Sequence, residues 1–158
     1  MSKYQNLWLV LLRLSMGWMF FYAGITKVLN PSWSAEGYLR GAKTFTEFYN
    51  FLLTPEILPV VNFLNEWGLT LIGVSLILGA GVRISVVLGS ALMLLYYIPI
   101  LDFPYPNAHA YIVDEHIIYI FALLLLGAMN AGHTFGLGRW FSARSFINKR
   151  PLLLKLLG

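Results

Sequence analysis

The chain has 158 residues, 58% hydrophobic and 11% charged, with a formal net charge of +4. That length calls for one domain, and so little polar surface excludes an ordinary water-soluble fold. The absence of cysteine excludes disulfides, thiolate-bound zinc, iron–sulfur clusters and thiol redox chemistry within this chain. The basic residues are not interleaved with exposed aromatics in any tract, so no nucleic-acid partner is expected.

A helix crossing the bilayer needs roughly 20 mostly apolar residues, because only a helix satisfies its own backbone hydrogen bonds in hydrocarbon. The first such run covers residues 7–29. It continues past Lys27 without a small-residue cleavage site, so it reads as a span rather than a removable signal peptide. Next comes a segment in which Tyr38, Ala42, Phe45, Tyr49 and Leu52 recur at helical spacing, opposite a stripe of Glu36, Arg40, Lys43, Glu47 and Asn50. Pro31 and Ser32 precede it and Pro55 and Pro59 follow, where a start and a stop are expected. It is expected to be an amphipathic helix lying on the bundle or at the interface. Further spans are expected at 63–82, at 84–101 (which carries no charge) and at 112–131. The expected architecture is an all-α four-transmembrane-helix bundle, a single domain over 1–158, with an external amphipathic helix between the first two spans.

Orientation follows from the basic residues. Arg83 in a short turn, and Arg139, Arg144, Lys149, Arg150 and Lys155 after the last span, mark the cytoplasmic side. All seven carboxylates then fall outside, and both termini lie in the cytoplasm of a multi-pass inner-membrane protein. Trp8, Trp33, Trp67, Tyr105 and Trp140 gather near span ends, as interfacial anchors do. Ser75, Gly79, Gly17, Gly24 and Gly89 permit close helix approach.

Polar residues inside the spans are costly and therefore informative. Arg13 has two readings: its stem snorkels to the cytoplasmic headgroups, or it faces the bundle and pairs with Asn130 or His133, or binds an anion. At the external end, Lys27 closes the first span, Glu66 opens the second, and Asp114, Glu115 and His116 open the fourth. Glu66 and Asp114 have a reading as helix caps. The competing reading is a site in which Lys27 holds an anionic group, while Glu66, Glu115 or His116 handles protons in a quinone reaction. Tyr96, Tyr97 and Tyr119 approach the same level and offer aromatic walls and hydroxyl donors to a flat ring. No paired histidines at one depth, phosphate-cradling loop or metal-ligand spacing is present, so neither haem nor metal is expected.

Arg13 with Gly17, the stretch 23–27, the run 30–39, Asn65-Glu66-Trp67-Gly68, Asp114-Glu115-His116 and the 136–140 segment recur in order over nearly the whole chain. In these the chain resembles the DoxX/DoxD family, and its Asp-Glu-His points to the DoxD branch, which resembles the membrane subunit of thiosulfate:quinone oxidoreductase. The resemblance implies oxidation of thiosulfate to tetrathionate on the external face, with electrons passed to a membrane quinone. Lys27 and Arg40 are then the candidate anion contacts, and Glu66, Glu115 and His116 the candidate proton-handling residues. It also implies a DoxA-like partner subunit.

The alternative is a non-catalytic accessory subunit, packed on a larger respiratory or other membrane complex, with a homo-oligomer as a further assembly. A small transporter fits Arg13, yet the chain lacks the broken-helix pair that transporters use.

Overall fold

The computed structural model describes residues 2–142. Of the expected cytoplasmic tail, Arg144, Lys149, Arg150 and Lys155 lie outside the described residues. The helices, in chain order, are α1 (Lys3–Val28), α2 (Glu36–Arg40), α3 (Thr46–Leu52), α4 (Leu58–Leu78), α5 (Val82–Ile100) and α6 (Glu115–Ala128); a 3₁₀ turn (Ala131–His133) and α7 (Gly138–Ser142) follow. Among the described residues there is no strand, only isolated bridges in the loop after α5.

Three helices, α1, α4 and α5, are long and apolar enough to cross a membrane. The fourth expected span is helical only over the 14 residues of α6, about 21 Å at 1.5 Å per residue against a hydrocarbon core of about 30 Å. Local chemistry sets its length. Asp114 caps the start by accepting from the backbone N–H groups of His116 and Ile117, and Asn130 turns left-handed (φ 49°) just beyond the end.

The segment expected as one amphipathic helix is two short ones. α2 ends at Arg40, and Phe45 enters α3 with φ 50°, a left-handed conformation that no continuous helix contains. Ala35, Leu39 and Tyr49 nonetheless bury together against Leu58, Val61 and Ile98, so the pair covers one end of α4 and α5. Pro59 does not act as a stop. It lies in the first turn of α4, where a missing N–H has no intrahelical partner to lose.

α1 packs on α4 and α5 on α6, and the two pairs share a core of Phe20, Leu69, Ile72, Leu76, Val86, Leu123 and Leu126. Backbones approach closely between α1 and α4. A Cβ on Gly73 would lie 2.2 Å from the Phe21 backbone nitrogen, so only glycine fits there.

Arg13 is 1% exposed and so does not snorkel. Its guanidinium donates to the backbone carbonyls of Ala131, Thr134 (2.9 Å) and Phe135 (3.3 Å), not to the side chains of Asn130 or His133. The Asn130 side chain instead accepts from Arg83 at 2.7 Å.

Candidate functional site

Five helices contribute to one chamber of about 280 Å³ at the end of the bundle where α1 finishes and α6 begins. Lys27 comes from α1, Tyr38 from α2, Asn65 from α4, Tyr96 from α5 and His116 from α6, with Trp33 and Ser34 from the turn before α2. Lys27 occupies the last turn of α1, where a cation complements the helix dipole, and its Nζ lies 5.2 Å from the centre of the Trp33 ring.

Asn65 is 8% exposed; its Nδ2 donates to the Tyr96 hydroxyl and its Oδ1 has no hydrogen-bond partner. Reversing the amide exchanges the two atoms and still leaves one without a partner. A buried amide atom without a partner costs roughly 1–3 kcal/mol.

His116 owes its place to the cap of α6. Asp114 has a fully buried side chain. Its Oδ1 accepts from the His116 and Ile117 backbone N–H groups at 3.0 and 3.3 Å, and its Oδ2 lies 2.7 Å from His116 Nδ1. The imidazole meets Tyr96 edge-on, with ring centres 6.0 Å apart. Asp114, Glu115 and His116 bring potential ligand atoms within 4.8 Å of one another, but the cap and the imidazole already engage both Asp114 oxygens.

Ala35, Tyr38, Asn65 and Tyr96 also line a second, apolar cleft of about 250 Å³, completed by Leu39, Phe48, Leu52, Leu64, Leu92 and Leu95. Phe48, Leu64 and Leu95 are 46%, 62% and 43% exposed, so the cleft reaches the molecule's apolar outer surface. The Tyr38 hydroxyl donates to the Tyr96 carbonyl. Burial pushes this phenol well above its ordinary range, helped by Tyr96, Tyr49, Asp114 and Glu115, so it stays protonated and remains a donor. A larger cavity of about 510 Å³ lies at the Arg13 end, among Asn6, Leu78 and the 133–139 turn. None of the unpartnered buried polar atoms among the described residues belongs to a side chain lining it.

Of the residues singled out from the sequence, Lys27, Tyr96 and His116 line the chamber. Glu66 lies well inside α4 and therefore does not cap it; it does not line the chamber, although its charge reaches Lys27. Glu115 is exposed on the first turn of α6. Arg40 is exposed and held by Glu36 at 2.6 Å. Tyr97 donates to the Ile112 carbonyl, and Tyr119 packs against the core. Asn65, Trp33, Ser34 and Tyr38 were not singled out as site residues. A signal for Asn65 was present, a polar side chain in an apolar run, but the charge of neighbouring Glu66 outweighed it.

A helical membrane protein with a ligand-sized, partly polar chamber at one end of its bundle is the class that this fold and site define. The chain belongs to the DoxX family: the family model for DoxX matches residues 8–101, from the first turns of α1 to the end of α5. Every chamber residue except His116 falls within that match. No curated protein and no solved structure matches the chain.

Proposed function

We propose that this chain is the membrane subunit of a quinone-linked oxidoreductase, with the quinone ring held in the chamber and its tail along the apolar cleft. The observation that carries the reading is a chamber lined by Lys27, Asn65, Tyr96 and His116 beside an apolar cleft that shares Ala35, Tyr38, Asn65 and Tyr96 with it and opens on the lipid-facing surface. A flat ring with polar oxygens on an apolar tail matches both halves. The sequence resemblance supplies thiosulfate as the donor. Two thiosulfate ions then yield tetrathionate and two electrons, which with two protons convert quinone to quinol. Lys27 is the anion contact in this reading, since Glu36 already engages Arg40, and His116 handles protons. The protein sits in the inner membrane with α6 as a short fourth span and both termini in the cytoplasm. A DoxA-like subunit completes the enzyme.

The test is thiosulfate-dependent reduction of a short-chain quinone by the protein purified gently with its partners. His116→Gln is expected to lower turnover by about a hundredfold, the scale of a lost proton-transfer group, and Asn65→Leu to abolish saturable quinone binding, with both variants still folded. Full activity in both variants would remove the proposal. An inert chain held in a larger complex, whose activity is indifferent to these substitutions, would establish the accessory-subunit reading instead.

A further inference from the structure

We infer that Asp114 is a positioning residue that holds His116 as its Nδ1–H tautomer, so that the chamber meets a bare Nε2 able to accept a hydrogen bond from a ligand hydroxyl. The ligand's identity rests on the quinone reading; the tautomer does not. An ionised carboxylate only accepts hydrogen bonds. Oδ1 is occupied by two backbone N–H groups of the helix cap, so the 2.7 Å contact between Oδ2 and Nδ1 needs the proton on the imidazole. In the neutral ring that leaves Nε2 with a lone pair, and Nε2 has no hydrogen-bond partner among the described residues. The ring touches Asp114 on its own element and Tyr96 from α5, and shares the chamber with Lys27 from α1 and Asn65 from α4.

The consequence is a chamber that suits both redox states of a ring. The Tyr96 hydroxyl donates to a carbonyl oxygen of the oxidised form. His116 Nε2 accepts from a hydroxyl of the reduced form. A dialkyl ether of the reduced ring has no hydroxyl to offer and is expected to bind poorly.

Asp114→Asn separates capping from positioning. Asparagine caps helices as well as aspartate does. Its single oxygen must serve the backbone, which turns its NH₂ toward Nδ1 and forces that atom to accept. Nitrogen-15 NMR of histidine-labelled full chain in lipid nanodiscs, at about pH 8 where an ordinary histidine is neutral, reads the tautomer directly, with the His116 signals assigned by their loss in His116→Gln. The expected result is Nδ1–H in the native chain and Nε2–H in Asp114→Asn. Affinity for a short-chain quinol is expected to fall about tenfold, as for one lost hydrogen bond, while affinity for the matching quinone changes less than about twofold. A native ring protonated on Nε2, or a tautomer that the substitution leaves unchanged, overturns the assignment. An inverted tautomer in a protein that binds neither quinol nor quinone supports the positioning role and counts against the quinone reading alone.

Discussion

The two ends of the bundle handle buried polar groups in opposite ways. At one end Arg13 is fully enclosed, three backbone carbonyls receive its guanidinium, and two glycines make the room: a Cβ on Gly79 or Gly136 would fall 2.7 or 2.8 Å from its Nη1. At the other end Lys27, Asn65, Tyr96 and His116 surround open space, and the Asn65 amide keeps one atom unpaired. A charge matched by three fixed carbonyls and enclosed by close packing is a structural lock, although its Nε keeps no partner. Polar side chains that border a cavity without filling it leave donors and acceptors for a ligand. This difference is the basis for reading the first end as structural and the second as the proposed ligand site.

The largest expected effect breaks the lock. Arg13→Met removes the donor shared by three carbonyls, of which Ala131 keeps only the Thr134 N–H, and the loss is expected to be about 3 kcal/mol or more, read as a fall in thermal unfolding midpoint in detergent. A loss below about 1 kcal/mol would put Arg13 on the same footing as the chamber residues and erase the contrast between the ends.

Asn65→Leu is the complementary test. It removes an unpaired amide together with one hydrogen bond, so stability is expected to change by only about 1 kcal/mol in either direction, while saturable binding of a short-chain quinone disappears. Strong destabilisation with binding retained would make Asn65 a core residue.

A smaller effect concerns the helices that roof the cleft. Burial raises the Tyr49 phenol above its ordinary value, and its hydroxyl donates to the Leu95 carbonyl at 3.0 Å. A phenol whose folded-state value is raised contributes stability that is fully present below the unfolded value near 10 and is lost as pH rises through the folded value. Thermal unfolding at pH 8 and above pH 10 is therefore expected to show an alkaline loss that Tyr49→Phe reduces; an unchanged loss would place its origin elsewhere.

Arg40→Gln is expected to do least. Its pair with Glu36 is exposed on both sides, where such contacts contribute about 0–1 kcal/mol, and Arg40 does not line the chamber. A large drop in thiosulfate-dependent turnover would extend the binding end beyond the chamber and return Arg40 to the anion contacts.

Hydropathy was enough to place α1, α4 and α5, because an apolar run of that length has one low-cost solution in a bilayer, and the order of modest motifs along the chain was enough to indicate the family. Lys27, Tyr96 and His116 were legible as residues near one depth at one end. Pairing was not legible. Arg13 meets a carbonyl 118 residues away and Asn65 meets a hydroxyl 31 residues away, and no local period records either contact. For the same reason the sequence showed Asp114 as a cap but not as the partner of His116 Nδ1, and showed Glu66 and Arg40 as charges but not as groups outside the chamber lining. A linear pattern records what each residue costs to bury. Which atoms are paired, and which remain unpaired beside open space, depends on how five helices converge, and only the tertiary structure decided that.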